Sequence, residues 1–348
     1  MFGKGRHFCR IMKVKLMLLA ASLPLLFFCN LAFGSVRIPL AQVASILVGD
    51  GSGKASWDFI VLQSRFPQAI TAIFCGASLS VSGLMLQTYF RNPLAGPSVL
   101  GISNGASLGV AIVMLALGGT LGAGGEMGEG LKLSGNLLVI LAAFIGAVVI
   151  TMLYLFLTNF IKNNLIILIL GIMVGYITSS VVTLLNFFAT VENVHSFVSW
   201  GMGSFCNVTN AQLPLLCGIS FVGILIAALL TKSFNLLLLG ETYAVNLGAN
   251  IGRIRSMVLL STGILTAVTT AFCGPVSFIG LGVPHIARLL IGTEDHKVLL
   301  PATLMTGAAI AMLCNIICVL PQQMIIPLNA VTPLFGGPVI IYIILKRR

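Results

Sequence analysis

The feature that most constrains this chain is a series of uninterrupted apolar runs, two of which flank the short segment RNPLAGPS, residues 91–98. These two runs extend over Phe66–Phe90 and Val99–Leu117. About 20 apolar helical residues span the roughly 30 Å hydrocarbon core of a bilayer, so each run is long enough to cross it. Pro93 and Pro97 cannot continue a helix, so RNPLAGPS is predicted to be a turn between two spans.

The composition excludes a soluble protein. Of the 348 residues, 58% are hydrophobic and 8% are charged, and the mean hydropathy is +1.09, whereas a soluble domain is about 25% charged. Backbone polar groups in lipid are satisfied only in helices or in a closed barrel. Barrel strands alternate over about ten residues, and these runs are continuous. The sequence therefore predicts an all-α polytopic membrane protein, with residues 1–348 forming a single transmembrane domain.

Ten transmembrane helices are predicted. The apolar run at residues 256–291 is too long for one crossing and is divided into two helices near Gly274 and Pro275, the second short or broken. Leu16–Gly34 could also be a signal peptide cleaved after Gly34, but an uncleaved first span is favoured because nine further runs follow. Besides that run and the first two described, the remaining spans are Asn136–Leu157, Leu165–Ala189, Ala211–Thr231, Val298–Leu320 and Ile325–Leu345. The segments at 35–64 and 118–135 are predicted to be a mixed, moderately polar connection and a glycine-rich loop, and the segment at 190–210 is predicted to be amphipathic and loop-like.

The distribution of charge predicts the orientation. Both chain ends are basic, and basic segments stay on the cytoplasmic side of the membrane, so both termini are predicted to be cytoplasmic. In the ten-helix topology, 15 of the 19 basic residues and three of the eight acidic residues fall in cytoplasmic segments. This asymmetry accounts for the net charge of +11 without a nucleic-acid partner.

Groups that would carry enzyme chemistry are absent from the sequence. Gly53-Lys54 is followed by Ala55, so the segment VGDGSGKAS lacks the nucleotide-binding pattern GxxxxGK[ST] and is predicted to be a turn. The eight cysteines have no metal-binding spacing and fall mostly in apolar runs. His285 is the ionisable residue that comes closest to a span, and a structural hydrogen bond near the interface is expected there. No cofactor or metal is predicted, and a membrane-embedded enzyme is disfavoured.

Transport would then require an energy source outside the chain or an ion gradient. The segment at residues 232–255 is partly apolar, carries Lys232, Glu241, Arg253 and Arg255, and is predicted to form one or two short surface helices. Such a segment suits either docking of a partner ATPase or binding to lipid headgroups. An importer driven by a partner ATPase and a secondary transporter driven by an ion gradient both remain open at this point.

Four stretches of the sequence resemble motifs of FecCD-type permeases. From Arg65 the chain follows RxPxxxxAxxxGAxLxxSGxxxQxxxRNPLAxPxxLGxSxGA. Within Leu238–Arg255 it has GExxAxxLG, similar to the segment by which the family couples to its ATPase. The stretch AFCGPVSFIGLGVPHIARLLIGTEDHKVLLP and the closing PLNAVTPLFGGPVIIYIILKRR also resemble the family.

The resemblance implies a permease subunit of an ATP-binding-cassette importer for a bulky metal chelate in the bacterial inner membrane. An iron–siderophore is favoured, with cobalamin or haem as alternatives. The implied partners are a second copy of the chain, two ATPase subunits, a periplasmic or surface substrate-binding protein and membrane lipid.

The resemblance also implies roles for particular residues. Those of the cytoplasmic gate are Asn92, Leu94, Asn163, Asn164 and Leu165. Those that couple to the ATPase are Leu239, Gly240, Glu241, Ala244, Leu247 and Gly248. Arg65 would dock the binding protein. Gly171, Gly175, Ser179 and Ser180 would line the pathway, although small residues in a span also serve ordinary helix packing.

Two positions depart from the family pattern. Gln68 replaces the second arginine of the motif RxPR, which weakens the expected charge pairing with a binding protein. Asn329 replaces glycine in the motif IPxG, which puts the local backbone geometry in question but not the fold.

Overall fold

The structure is a computed structural model that describes residues 2–116, 135–161, 163–321 and 325–346. Most of the described residues are helical, and no strand occurs among them. The predicted loop at 118–135 lies outside the described residues except for Gly135, as do Leu117, Lys162 and the last two arginines.

Fifteen helices, numbered α1 to α15, follow one another in the described part of the chain. Two π-helical stretches extend α4 at its start (Ile60–Arg65) and α5 at its end (Ile112–Ala116). The helices are α1 Phe2–Ala32, α2 Leu40–Val48, α3 Ala55–Phe59, α4 Phe66–Phe90, α5 Ile102–Ala111, α6 Gly135–Leu157, α7 Asn164–Phe188, α8 Val191–Gly201, α9 Leu213–Leu229, α10 Thr231–Leu238, α11 Glu241–Asn246, α12 Ile251–Cys273, α13 Ile279–Ile291, α14 His296–Val319 and α15 Leu328–Lys346.

The helices of the described residues account for each of the ten predicted spans. Six are long and apolar enough to cross a membrane, and α9 with α10 forms a pair bent by 45° that passes the same test together. Three shorter apolar helices, at Ile102–Ala116, Ile279–Ile291 and Leu328–Tyr342, correspond to the remaining predicted spans. A polytopic helical membrane protein is therefore supported, while ten crossings and cytoplasmic termini stay predictions.

The connections differ from the sequence prediction in two places. The connection at 35–64 contains helices α2 and α3, and that at 190–210 contains helix α8. Helices α2 and α8 are both amphipathic. The amphipathic character of 190–210 was expected, but not that residues 191–201 would form a helix. The break in the long run is confirmed, since α12 ends at Cys273 and α13 begins at Ile279.

Helix α4 is the centre of the fold and packs against α9, α12, α13 and α14. Its small residues allow close approach, as the sequence predicts. A Cβ added to Gly76 would lie 2.3 Å from the Gly307 carbonyl oxygen, and one added to Gly83 would lie 1.6 Å from that of Gly280. Helices in lipid associate mainly through such close packing, because burial from water no longer drives them together.

The connections gather at two ends of the bundle. One end, here called the basic end, brings together residues 91–98, residues 158–164, the segment 232–255 and residues 292–295. The opposite end joins α1, the start of α4, the connection after α8 and the connection before α15. The positive-inside rule predicts that the basic end faces the cytoplasm.

Candidate functional site at the basic end

The segment 232–255, here called the coupling segment, contains most of α10, all of α11 and the first turn of α12. Two short helices, α10 and α11, occur there as expected, but Arg253 and Arg255 already belong to α12. Gly240 and Gly248 flank α11 with φ angles of +118° and +87°. Glycine adopts such angles at little cost, so both positions favour glycine for the two sharp changes of chain direction.

The outer surface of α11 is apolar and exposed. Leu239, Tyr243 and Leu247 are 61%, 68% and 61% exposed, and Glu241 is exposed among them. Ala244 is fully buried and fastens the helix to the bundle. A contiguous exposed apolar surface of this kind marks a protein or membrane contact.

Helix α10 is fastened to the start of α14 by the side chain of Asn235. Its Nδ2 donates to Asp295 Oδ1 at 2.6 Å, and its Oδ1 accepts from the His296 backbone N–H at 2.9 Å. Asp295 caps α14 by accepting from the Lys297 backbone N–H at 3.0 Å. The Lys297 backbone bond, followed by the Asn235 bond, lowers the pKa of the Asp295 carboxyl.

The first predicted gate turn, residues 91–98, is held by its own amide and by His285. Asn92 Oδ1 accepts from the Leu94 backbone N–H at 2.9 Å. His285 Nε2 donates to the Pro93 carbonyl at 2.8 Å, which is the structural hydrogen bond expected for that histidine. Leu94 is 47% exposed at the tip of the turn.

The second predicted gate turn, residues 158–164, leads directly into α7. Asn163 caps that helix, since its Oδ1 accepts from the Leu165 backbone N–H at 2.9 Å. Leu165 is 65% exposed, and the side chain of Asn164 lies outside the described residues. Each turn is thus held by an asparagine side chain beside an exposed leucine, Leu94 within the first turn and Leu165 in the first turn of α7.

Two arginines connect these turns to the coupling segment. Arg91 Nη2 donates to the Leu237 carbonyl at 2.6 Å. Arg255 is 8% exposed and donates to Tyr89 Oη at 2.6 Å, to the Ile161 carbonyl at 2.8 Å and to the Thr158 carbonyl at 3.2 Å. The basic end is therefore one hydrogen-bonded unit.

The predicted pathway residues of α7 divide into two pairs. A Cβ on Gly171 would lie 2.8 Å from the Val99 carbonyl oxygen, and one on Gly175 would lie 2.7 Å from Asn104 Nδ2. These glycines pack α7 against the segment around the start of α5. Ser179 and Ser180 are exposed, one helical turn further along.

Arg65, the predicted docking residue for a binding protein, is buried at the opposite end of the bundle. It is 5% exposed and donates to the carbonyls of Leu31 and Ala32 at 2.8 Å and to that of Val36. These carbonyls lie at and after the end of α1, where helical partners are missing. These carbonyls occupy the guanidinium of Arg65, and its role in docking a binding protein stays a prediction.

Both departures from the family pattern have defined partners. Gln68 Nε2 donates to Asn315 Oδ1 and to Cys206 Sγ, each at 2.9 Å. Asn329 Nδ2 donates to the carbonyls of Pro275 at 2.6 Å and Gly201 at 3.1 Å, and its Oδ1 accepts from the Ser277 backbone N–H at 3.0 Å. Asn329 does not have a positive φ, so an asparagine fits that backbone.

Sequence reasoning missed the partners of Arg255 and the buried amide pair Gln68–Asn315. In both cases the sequence shows a polar side chain next to or inside an apolar run. It does not show which distant group forms the hydrogen bond with that side chain. Among the described residues, no group of three or more His, Cys, Asp or Glu side chains could hold a metal ion.

Comparison with known proteins gives concordant matches. The model of the FecCD transport family matches residues 22–346. The vitamin B12 import system permease protein BtuC of Citrobacter koseri is 33% identical over 324 residues, covering 90% of this chain and 93% of the relative. The protein of the same name from Klebsiella pneumoniae is 34% identical over 305 residues, covering 84% and 85%.

Solved structures agree with this assignment. One described as an inward-facing conformation of an ABC transporter of the metal-chelate type matches with a TM-score of 0.82 at 26% identity, covering 95% of this chain and 98% of that one. The complex PsaBC from Streptococcus pneumoniae matches with a TM-score of 0.55 at 16% identity, which supports the fold alone.

Proposed function

We propose that this chain, which belongs to the FecCD transport family, is the membrane-spanning permease of an ATP-binding-cassette importer that moves a bulky metal chelate across the bacterial inner membrane. The observation that carries the proposal is the coupling segment. It presents an exposed apolar surface around Glu241 and is hydrogen-bonded to both predicted gate turns. A partner bound to this surface could therefore displace the two gate turns, which would have to move during transport.

ATP would be hydrolysed by two partner subunits, one on each copy of the permease. Leu239, Gly240, Glu241, Ala244, Leu247 and Gly248 would form the contact. Gly240 and Gly248 set the angle of α11, Ala244 anchors it, and the exposed leucines and Glu241 meet the ATPase. Binding to lipid headgroups is the competing role for this surface, and the experiment below separates the two.

A second copy of the chain would complete the pathway. The face of α7 carries Ile169, Met173, Tyr176 and Ile177, which are 48%, 46%, 66% and 65% exposed. Ser179 and Ser180 would line a pathway between the copies, while Gly171 and Gly175 keep α7 close to its neighbours. The gate at the basic end would be formed by Asn92 and Leu94 of the first turn and by Asn163, Asn164 and Leu165 of the second. A short leucine side chain closes a passage by contact and leaves it without breaking a strong bond.

The proposal names the class of the transported molecule, a bulky metal chelate, and leaves three candidates within that class. The curated relatives described above are named as vitamin B12 permeases, so a cobalamin is at least as well supported as the iron–siderophore that the sequence favours. Haem is a further alternative. All three would require a wide and largely apolar passage, and uptake of cyanocobalamin, a ferric siderophore and haem by cells expressing the complete importer would discriminate among them.

The substrate-binding protein would dock on the opposite end. Arg65 was expected to contribute, but its guanidinium is occupied by carbonyls of α1 and the residues after it. In this conformation Arg65 would act mainly by shaping the surface rather than by forming an ion pair with the binding protein. Gln68 is also engaged internally, so docking would depend on neighbouring groups.

A charge reversal at Glu241 tests the proposal. In the purified complex of two permeases and two ATPases, Glu241→Lys is expected to abolish ATP turnover linked to transport while membrane insertion persists. The exposed Glu192 of α8 lies at the opposite end, so Glu192→Lys is a matched control that should leave basal ATP turnover unchanged.

Normal coupled turnover in Glu241→Lys would reject the assigned coupling site. Failure of the wild-type chain to bind any ATPase subunit, or labelling of residues 238–255 from outside the cell, would reject the proposed function itself.

A further inference from the structure

The bonds of two arginines at the basic end connect three separate parts of the chain. Arg91 belongs to the first gate turn and donates to Leu237 in the coupling segment at 2.6 Å. Arg255 belongs to the coupling segment and donates to Ile161 and Thr158, which begin the second gate turn, at 2.8 and 3.2 Å. The start of the coupling segment is therefore bonded to the first gate turn, and the end of the coupling segment is bonded to the second gate turn.

The backbone of Arg91 is suited to this connection. It ends α4 in the left-handed conformation, with φ of +48°, which is uncommon for a residue with a side chain. A Cβ on Gly240 would lie 3.8 Å from Arg91 Nη2, so the guanidinium lies beside the glycine that turns the chain into α11. A displacement of α11 would therefore change the position of the Arg91 side chain directly.

The surroundings of Arg255 explain why an arginine is needed there. Thr158 and Ile161 follow the end of α6, where backbone carbonyls lack helical partners and a cation is favourable. Arg255 Nη1 reaches both carbonyls while its Nε donates to Tyr89 Oη, two residues before Arg91. A lysine would keep the charge, but its single ammonium group lacks the planar fork that bonds two directions at once.

From this geometry we infer that Arg255 and Arg91 are positioning residues that transmit movement of the coupling segment to the two gate turns. The inference rests on the proposed function. Arg91 donates to the coupling segment from the first gate turn, and Arg255 donates to the second gate turn from the coupling segment. Because neither arginine belongs to the exposed surface of α11, removing them should leave ATPase docking intact. ATP would then still be hydrolysed, but the gate would respond to it poorly.

A measurement of gate movement tests this without knowledge of the chelate. Spin labels are attached at Ser98→Cys and Asn159→Cys, exposed residues of the two gate turns that have no assigned gate role. In the background chain, Cys9, Cys29, Cys206 and Cys217 are replaced by serine, so that the remaining cysteines are buried. The distance between the labels is measured in the complete complex with and without a non-hydrolysable ATP analogue. ATP hydrolysis is measured on the same samples.

Arg255→Lys and Arg91→Gly are the test variants, and glycine is chosen at Arg91 because it accepts the left-handed backbone. Each is expected to keep ATP hydrolysis near the wild-type rate while the fraction of complexes that change label distance falls about tenfold, within the usual range of coupling energies. Arg37→Lys, an exposed arginine at the opposite end, is the matched control and should keep both properties.

The outcomes separate the two proposals. A wild-type chain that forms no working complex with an ATPase rejects the proposed function. A working wild type with both variants showing the full change in label distance overturns the inference alone. Loss of hydrolysis together with label movement in both variants also overturns it, because the arginines would then serve assembly rather than transmission.

Discussion

Replacing Gly83 by alanine tests whether backbone-to-backbone packing around α4 holds this bundle together. The added Cβ would lie 1.6 Å from the carbonyl oxygen of Gly280 and 2.5 Å from its carbonyl carbon. Real Cβ contacts are essentially never shorter than 3.0 Å, so α4 and α13 would have to separate by about 1.4 Å at this point. The obstructing atoms belong to the backbone, and no side-chain rotation relieves the clash.

The expected cost follows from that displacement. Inserting one methyl group into a well-packed core costs about 1–3 kcal/mol. Gly83 lies in the most central helix against a second backbone, so the upper end is expected, about 3 kcal/mol or roughly a 100-fold shift in the unfolding equilibrium. Helix α4 also packs closely against α14, where Gly76 lies beside Gly307. A movement of α4 away from α13 would therefore disturb this second contact.

The chain supplies its own probe of unfolding. Cys75, Cys273, Cys314 and Cys318 are buried, Cys206 is exposed, and Cys29 and Cys217 are partly exposed. With Cys29, Cys206 and Cys217 replaced by serine, a thiol-reactive dye in detergent would label the buried thiols only as the bundle opens on heating. The apparent Tm of Gly83→Ala is expected to fall by several degrees.

A matched substitution separates packing from helix propensity. Gly218 lies on the exposed side of α9, and a Cβ there would meet nothing within 4 Å. Alanine at Gly218 should be neutral or slightly stabilising, since alanine favours a helix by up to about 1 kcal/mol over glycine. Equal apparent Tm values for Gly83→Ala and Gly218→Ala would refute the reasoning.

Two further predictions concern polar side chains at the starts of helices α14 and α15. Asp295→Ala should lower stability by about 1 kcal/mol through loss of a helix cap, whereas Asp295→Asn should preserve most of it; equal losses in thermal unfolding would contradict this. Because the pKa of Asp295 is lowered by the Lys297 backbone N–H and by Asn235, its ionised form adds stability above its ordinary pKa of 3.8. That contribution is lost as pH falls through the lowered pKa, and Asp295→Asn should remove this pH dependence. Asn329→Gly, which restores the family residue, should destabilise by about 2 kcal/mol through loss of three hydrogen bonds, and an unchanged Tm would count against it.

Much of the fold could be predicted from local patterns. The apolar runs correspond to the helices, and Gly274 and Pro275 mark the break between α12 and α13. The spacing of Gly76 and Gly83 indicates a face for close packing. Helix α8 was missed because the segment at 190–210, although amphipathic, is more polar than a membrane span and was assigned to a loop.

The sequence by itself determined the class of this protein, because lipid leaves a helix as almost the only way to satisfy a long apolar backbone. It also determined the family and the segments to examine for gating and coupling. Only the tertiary structure decided where the polar side chains go. Arg65 and Arg255 look alike in the sequence, each basic at the start of an apolar run, yet one holds the end of α1 and the other joins α4 to the end of α6. A hydrogen bond depends on which carbonyl lacks a partner nearby, and that is fixed by the packing of distant helices rather than by the residue's neighbours in the chain.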